Sequence, residues 1–261
     1  MKITPEKNSA PLVSVLMLTY NRANYIDAAI ESVLAQSYQN VELIIIDDGS
    51  TDNTREVVGR YRDTRIKYRQ DSVNRGLGYR RQESLSYATG TYIAILDSDD
   101  IWTDGNKLTL QVAHMEAHPL CAVVGTAISI INAQGLKIGE NSYHRDDADI
   151  RKNILIRNQF AHSSVLLRQA LLTQTDGYRN LGQAEDLDLY LQLGQFGTFA
   201  NLPEPMMAYR VHDKGVSHDK TIAIKGVLKV IACHRHEYPN YVIAVLKYRL
   251  MLLLSILGLR K

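Results

Sequence analysis

Cysteine is scarce in this chain of 261 residues, and the two cysteines, Cys121 and Cys233, form no Cys-x-x-Cys pair. This scarcity excludes a disulfide scaffold and a cysteine-rich zinc module, and it fits a reducing compartment. The formal net charge is only +2, so the chain lacks the strongly basic character of proteins that bind nucleic acid. We therefore expect no nucleic acid partner.

Long apolar runs are also missing from the sequence. No uninterrupted apolar stretch approaches the roughly 20 residues that a membrane-spanning helix needs. Residues 1–11 are polar and lack the apolar centre of a signal peptide, so we expect a cytoplasmic protein.

The sequence does contain a regular alternation of apolar runs and helical spacing. Residues 12–18, 41–46 and 92–96 are almost wholly apolar, as in strands buried on both faces of a sheet. Each run is followed by a polar loop and then by a segment whose apolar residues recur three or four positions apart. This order predicts an α/β fold with a doubly wound, mostly parallel sheet flanked by helices. We expect one domain over residues 1–220 and a helical extension over 221–261.

Two later segments break this alternation. Residues 132–151 are polar and irregular, which predicts a mobile loop. Residues 160–167 contain His162-Ser163-Ser164 and are predicted to form a strand.

Polar side chains follow three of the predicted strands, at residues 19–22, 47–52 and 97–100. Because the carboxyl ends of parallel strands meet at one edge of a sheet, these loops should form one cleft. Asp97 and Asp99 point the same way if the strand geometry persists, and such a pair suits a hard divalent cation that also binds phosphate. A solvated acidic turn is the alternative. The three loops together indicate a nucleotide site, where Asp47 or Asp48 could accept the ring N–H of a uracil-like base.

These motifs resemble those of glycosyltransferase family 2, the inverting nucleotide-sugar transferases with the GT-A fold. The resemblance extends from about Pro11 to His212. It rests on five stretches in the family's order, namely Leu18-Thr19-Tyr20-Asn21-Arg22, Ile46-Asp47-Asp48-Gly49-Ser50-Thr51-Asp52, Asn74-Arg75-Gly76, Asp97-Ser98-Asp99-Asp100 and Glu185-Asp186.

The resemblance implies a metal-dependent transferase that uses a nucleoside-diphosphate sugar, with uridine the favoured nucleoside. Asp99 would bind Mn²⁺ or Mg²⁺, and Asp186 would be the catalytic base. The remaining matched positions would form the donor site: Thr19, Asn21 and Asp47 at the nucleoside, Asp97 near the ribose, and Tyr20 and Ser98 in the same motifs.

Three of the candidate residues have structural alternatives. Asp186 could simply cap the helix that it begins, with Glu185 favoured by the helix dipole. Arg80, or its neighbour Arg81, could reach the diphosphate or lie on a solvated helix face. His212 follows Tyr209-Arg210-Val211, which resembles a metal- or diphosphate-binding stretch in some relatives, but a lone histidine after a strand is also often structural.

The last part of the chain differs from the rest. Residues 241–261 are rich in valine, isoleucine and leucine, with Lys247, Arg249, Arg260 and Lys261 interspersed. We favour a basic amphipathic helix lying on the inner face of the cell membrane. Packing on the domain's own core or on a second subunit is the alternative.

The resulting hypothesis is a hexosyltransferase that moves one sugar to a hydroxyl of a lipid-linked or saccharide acceptor. Surface polysaccharide biosynthesis, such as that of lipopolysaccharide, capsule or exopolysaccharide, is the implied setting. Processive relatives carry a Gln-x-x-Arg-Trp motif downstream of the base, whereas the only tryptophan here is Trp102. A sugar-phosphate nucleotidyltransferase and a non-catalytic sugar-binding protein on the same fold remain the rival interpretations.

Overall fold

The computed structural model describes residues 10–213 and 220–257. In these residues the strands are β1 Val13–Thr19, β2 Val41–Asp47, β3 Ile66–Gln70, β4 Tyr92–Ile95, β5 Ile101–Trp102, β6 Cys121–Ile131, β7 Lys137–Asn141, β8 Leu166–Arg168 and β9 Thr198–Arg210. The helices are α1 Ile26–Leu34, α2 Thr54–Val58, α3 Leu77–Leu85, α4 Lys107–Ala117, α5 Asp147–Asn153, α6 Gln169–Leu172, α7 Glu185–Leu193, α8 Lys220–Cys233 and α9 Tyr241–Ile256, with a 3₁₀ turn at His162–Ser164.

The first half of the chain forms the parallel part of the sheet. Strand β1 lies between β2 and β4 and is parallel to both, and β3 adds to the outer side of β2. Alternate side chains of these strands enter two different apolar cores: Leu16 packs in one, while Val15 and Met17 pack in the other. Burial on both faces explains why these strands are continuous apolar runs.

The second half of the chain completes a mixed sheet. The strand order is β3-β2-β1-β4-β8-β6-β9-β5, with β7 paired to β6. Strand β8 is antiparallel to both β4 and β6, whereas β6 and β9 are parallel over most of their length. The predicted α/β fold, with a sheet flanked by helices, is confirmed.

Two local predictions are wrong. Residues 132–151 are not an irregular loop, because they include strand β7 and the start of helix α5. Both elements are largely exposed, so they carry no apolar periodicity that could reveal them. Residues 160–167 are not one strand either, because the 3₁₀ turn at 162–164 delays the strand to Leu166.

The C-terminal helices pack on the domain and on each other. Ile224, Val230 and Ile231 of α8 join the same core as Leu187 of α7, and so does Tyr248 of α9. Packing on the domain's own core therefore occurs for one side of each helix. Residues 214–219, just before the predicted boundary at residue 220, lie outside the described residues. Arg260 and Lys261 lie outside them as well. Over the described part of the chain, every helix is too short or too polar to cross a bilayer.

Candidate active site

A cavity of about 1110 Å³ lies at the carboxyl ends of β1 and β4. The loops after these strands form one wall, with Thr19, Asp97 and Asp99 among the lining residues. The start of helix α7 contributes Asp186 to the same cavity, and helix α8 contributes Ala223. The structure thus brings the predicted metal ligand and the predicted base into one space, as the hypothesis requires.

Asp99 lies between two basic side chains. Its Oδ2 atom is 2.9 Å from Nε of Arg22 and 3.0 Å from Nε2 of His212. His212 is buried and its ring lies 4.9 Å from the ring of Tyr25, so the imidazole is held in place. The sequence prediction joined Asp99 and His212 at one site, and the structure places them in direct contact.

An arginine lies between Asp97 and the start of helix α7. The Arg81 guanidinium donates a hydrogen bond of 2.7 Å to Glu185 and lies 3.6 Å from the Asp97 carboxylate. Burial raises the pKa of Asp97, and Arg81 partly offsets this shift by favouring the carboxylate. Arg81 therefore neutralises part of the acidic wall that Asp97, Glu185 and Asp186 create.

Asp186 is the second residue of α7, and the cap position belongs to Ala184. Its Oδ2 atom accepts a hydrogen bond of 3.0 Å from the Asn158 side chain. A half-buried carboxylate that lines the cavity is placed to meet a substrate hydroxyl, and one amide donor also orients it. The geometry does not require the capping role that the sequence left open.

The nucleoside candidates of the first loop have different surroundings. Tyr20 lines the cavity and is exposed. Thr19 is buried, and its Oγ1 atom has no hydrogen-bond partner among the described residues. Asn21 has φ of 53°, and its Oδ1 atom accepts a hydrogen bond of 2.8 Å from the Thr51 backbone. A ligand hydroxyl or carbonyl could satisfy Thr19, whereas the Asn21 oxygen already joins two loops.

Asp47 does not line the cavity. It is fully buried, where it accepts hydrogen bonds of 2.6 Å from the Tyr68 hydroxyl and 2.7 Å from the Ser50 backbone. Its neighbour Asp48 lines the cavity instead, and its carboxylate accepts 2.8 Å bonds from the backbone amides of Arg75 and Gly76. The nucleoside contact of Asp47 stays a prediction, and this placement favours its alternative.

Arg80 mainly forms ion pairs with carboxylates of the surrounding loops and of its own helix. Its guanidinium is almost wholly buried, where it contacts the carboxylates of Asp48 and Glu83 at 2.6 Å each and also pairs with Asp71. These carboxylates raise the pKa of Arg80 despite its desolvation. Diphosphate binding by Arg80 stays a prediction, and Arg81 lies closer to the acidic wall.

Hydrogen bonds to neighbouring segments fix the rest of the Asp97–Asp100 loop. Ser98 is buried and lines the cavity. Asp100 accepts hydrogen bonds of 2.5 Å from the Ser163 hydroxyl and 2.8 Å from the Arg210 backbone. Burial raises the pKa of Asp100 well above its usual range. Asp100 thus ties the loop to β9 and the 3₁₀ turn, and it also lines the cavity with Asp97 and Asp99.

His162 lies between two tyrosines on the cavity wall. Its Nδ1 atom is 2.7 Å from the Tyr190 hydroxyl and its Nε2 atom is 3.2 Å from the Tyr178 hydroxyl. Burial, together with the Arg81 charge, lowers the pKa of His162 well below its usual value. A neutral histidine held in this way is a fixed part of the wall beside Asp186.

Sequence reasoning did not find Asn158, Tyr178, Tyr190 or Ala223. Asn158 is separated from Asp186 by 28 positions, so no local pattern joins them. Tyr178 follows the turn-forming residues Thr175-Asp176-Gly177, and nothing in this stretch indicates its contact with His162.

The side chains around Asp99 can be compared with the ligands that a divalent cation requires. Among the described residues, no three His, Cys, Asp or Glu side chains come together to hold an ion by themselves. Asp99 and His212 supply two ligating residues. Mg²⁺ and Mn²⁺ accept such incomplete protein sites because water and substrate phosphate complete the coordination. The residues present fit an ion that arrives with a diphosphate.

Comparison with known proteins identifies the family of this chain. The family model for glycosyl transferase family 2 matches residues 14–172. The chain has the GT-A fold and belongs to glycosyl transferase family 2. The matched region contains Thr19, Asp97 and Asp99, whereas Asp186 and His212 lie beyond its end.

Two curated relatives illustrate the likeness in sequence. The chain is 33% identical to EpsE of Bacillus subtilis over 243 residues, which is 89% of this chain and 85% of EpsE. It is 44% identical over 121 residues to WfgD of Escherichia coli, described as a UDP-Glc:α-D-GlcNAc-diphosphoundecaprenol β-1,3-glucosyltransferase. That second match covers 46% of this chain and 47% of WfgD.

Solved structures support the fold. The TarS fragment 1–349 of S. aureus in complex with UDP-GlcNAc has a TM-score of 0.71 and 20% sequence identity, covering 91% of this chain and 71% of that one. The mannosyltransferase PcManGT of Pyrobaculum calidifontis, in complex with GDP-Man and Mn²⁺, has a TM-score of 0.67 and 20% identity. The aligned region covers 95% of this chain and 72% of the PcManGT chain.

Proposed function

We propose that this protein is an inverting hexosyltransferase that moves one sugar from a UDP-sugar to a hydroxyl group of a lipid-linked saccharide. The observation that carries this proposal is that Asp99 and Asp186 line the same cavity of about 1110 Å³. His212 contacts Asp99 at the border of that cavity. Family membership favours glycosyl transfer over nucleotidyl transfer and over sugar binding alone.

The donor half of the cavity is the side with Thr19, Asp97 and Asp99. The orphaned Thr19 hydroxyl is a donor and acceptor for the nucleoside. Asp97 would lie by the ribose, and Asp99 with His212 would hold Mn²⁺ or Mg²⁺. When bound, the ion supplies positive charge that stabilises the departing diphosphate. The complexes of TarS with UDP-GlcNAc and of PcManGT with GDP-Man and Mn²⁺ support this assignment by analogy of fold.

The acceptor half is the side with Asp186. As the acceptor oxygen forms a bond to the anomeric carbon, its proton passes to Asp186, and the bond from that carbon to the diphosphate breaks. UDP leaves on the face opposite to the attack, so the configuration inverts. General-base assistance of this kind contributes about 10²–10⁴-fold to the rate. Asn158 would keep the carboxylate turned toward the acceptor, because its amide binds only one of the two oxygens.

The proposed acceptor is a sugar on a diphospholipid, as in the substrate named for WfgD. The proposed setting is surface polysaccharide biosynthesis at the inner face of the cell membrane. Donor nucleotides are made in the cytoplasm, so the cavity would have to meet its lipid acceptor there.

Transfer from UDP-glucose, UDP-GlcNAc and UDP-galactose to a synthetic GlcNAc-diphospholipid, with and without Mn²⁺, tests the proposal. One donor should give a single-sugar product of inverted configuration and stoichiometric UDP. Asp186→Asn should reduce turnover by about 10³-fold while UDP binding is kept. Asp149→Asn, an exposed carboxylate on α5, is the matched control and should be unaffected.

Three outcomes would contradict the proposal. Near-normal turnover of Asp186→Asn would remove the base assignment. Release of inorganic pyrophosphate from a sugar phosphate and UTP would instead indicate a nucleotidyltransferase. Binding of a UDP-sugar without transfer or hydrolysis, across all donors and metals, would indicate a binding protein.

A further inference from the structure

Helix α9 carries a row of large apolar side chains that the described part of the chain does not cover. The members share an exposure of 53–66% of their surface, although several are leucine or isoleucine. Single exposed apolar residues are ordinary, but a contiguous row marks an interaction surface. The outer α9 face, as we name it, consists of Val242, Ile243, Leu246, Leu250, Leu253, Ile256 and Leu257.

The spacing of these residues places them on one side of the helix. At 100° per residue they fall within an arc of roughly 140°. The opposite side contains Ala244 and Tyr248, which are buried against the domain. Helix α9 is therefore apolar both inward and outward, whereas a helix that only packs on a core presents polar residues to water.

The two C-terminal helices also carry exposed basic side chains. Arg249 is exposed among the apolar residues of α9, and Lys225 and Lys229 are exposed one turn apart on α8. Across residues 220–261 the sequence has eight lysines and arginines but a single acidic residue, Glu237. This charge complements an anionic surface and disfavours burial against a second copy of the same basic segment.

The two C-terminal helices connect this surface to the active-site cavity. Thr221 Oγ1 at the start of α8 lies 2.9 Å from Ser255 Oγ at the end of α9, so the helices are antiparallel. Ala223, one turn into α8, lines the cavity. The end of the outer α9 face at Leu253 to Leu257 thus lies beside the helix start that walls the cavity.

Close backbone contact makes this connection rigid. A Cβ atom at Gly226 of α8 would lie 3.0 Å from the backbone nitrogen of Gln183, and one at Gly182 would lie 3.2 Å from Cα of Gly226. Gly182 also has φ of 112°, which favours glycine. Helix α8 therefore rests directly on the loop that leads into Asp186.

We infer that the outer α9 face docks on an anionic lipid bilayer and directs the cavity mouth toward the headgroups. The inference rests on the proposed function, because that function supplies a purpose for the docking: a lipid-linked acceptor can then reach Asp186 without leaving the membrane. The row of leucines and isoleucines enters the boundary of the acyl chains, while Arg249, Lys225 and Lys229 contact lipid phosphates.

Flotation of the full-length protein with vesicles tests the docking surface. Vesicles of phosphatidylcholine with about one-third phosphatidylglycerol should carry the wild-type protein to the top of the gradient. Leu246→Glu/Leu250→Glu should lower the bound fraction by at least about tenfold, because two apolar anchors become charged. Leu136→Glu/Ile138→Glu, two exposed apolar residues at the β6–β7 hairpin, is the matched control and should still float.

The outcomes of flotation are decisive in both directions. Wild-type protein that stays at the bottom with anionic vesicles would overturn the inference. Equal flotation with phosphatidylcholine alone would overturn the role of the basic residues. If the wild-type protein does not bind vesicles but is a dimer, and the Leu246→Glu/Leu250→Glu variant is a monomer, then a second copy of the chain covers the outer α9 face. Circular dichroism and thermal melting would confirm that each variant is folded.

An activity arm separates this inference from the proposed function. With a short-chain, water-soluble acceptor, the Leu246→Glu/Leu250→Glu variant should turn over at the wild-type rate. With a long-chain acceptor in vesicles, it should lose at least about tenfold, in line with its binding. Flotation without transfer to either acceptor would contradict the proposed function but leave the docking surface intact.

Discussion

The guanidinium of Arg81 donates a hydrogen bond of 2.7 Å to the carboxylate of Glu185, 104 positions later in the chain. This contact joins helix α3 to the start of α7, where Asp186 follows immediately. Arg81 also lies 3.6 Å from Asp97, so one positive charge connects the Asp97 side of the cavity to the side that contains Asp186.

Arg81→Gln should therefore impair both stability and turnover. Removing one partner from a buried ion pair costs about 3–5 kcal/mol, because Glu185 and Asp97 lose their counter-charge. We expect kcat to fall by more than tenfold with a smaller change in KM, since the group positions α7. Steady-state kinetics and thermal melting check this, and Arg81→Lys should recover part of the activity. An unchanged kcat in a folded Arg81→Gln protein would contradict a positioning role.

Thr19→Val should separate ligand binding from folding. The Thr19 hydroxyl is buried without a partner among the described residues, so its removal relieves an unsatisfied group. We expect unchanged or higher thermal stability but about 5- to 10-fold weaker UDP binding, the equivalent of one hydrogen bond. Isothermal titration with UDP and thermal melting measure the two effects. Equal UDP affinity in both proteins would place the nucleoside elsewhere.

If Asp99 binds the proposed cation, Arg22 should compete with that cation for the Asp99 carboxylate. Its Nε lies 2.9 Å from Oδ2, the same oxygen that His212 approaches. Arg22→Ala should strengthen Mn²⁺ binding in the absence of nucleotide by about 5- to 10-fold, because a nearby positive charge is removed. Asp99→Asn should abolish it.

Electron paramagnetic resonance of Mn²⁺ measures this binding without a need for turnover. Arg60→Ala, at an exposed arginine two residues after the end of α2, provides a charge-matched control. Weaker Mn²⁺ binding in Arg22→Ala than in the control would show that Arg22 orients Asp99 and does not oppose the ion.

His234 should make the stability of the fold depend on pH. It lies 2.9 Å from Asp188 of α7 and 2.5 Å from Glu237. Burial lowers the pKa of His234, but the hydrogen bonds with these two carboxylates outweigh burial and raise it above the usual 6.5. A raised pKa stabilises the fold fully below the unfolded-state pKa, and the contribution is lost as pH rises through the folded-state value.

Between about pH 6 and about pH 9 the melting temperature of the wild type should fall by a few degrees relative to His234→Gln. His236→Gln, an exposed histidine two positions on, should follow the wild type. Parallel pH profiles for the wild type and His234→Gln would contradict a protonated His234 in the folded protein.

The parallel half of the fold was predictable from the sequence because its determinants are local. A strand buried on both faces must be apolar throughout, and residues 12–18, 41–46 and 92–96 show this directly. The polar loops after these strands meet at one edge by the geometry of parallel sheets, which predicted one cavity for Thr19 and Asp99. Asp186 belongs to none of these loops and was expected there only from the family resemblance. Strand β7 and helix α5 escaped prediction because exposed elements need no apolar period.

The sequence by itself determined the fold class, the edge of the sheet that carries the site, and the acidic residues that line it. Only the tertiary structure decided which neighbour does what: Arg81 and not Arg80 faces Asp97, Asp48 and not Asp47 lines the cavity, and α8 forms part of its wall. Adjacent residues of a helix or a strand end point in different directions, and some of their partners lie more than a hundred positions away. Such choices depend on packing between distant segments, which no local pattern records.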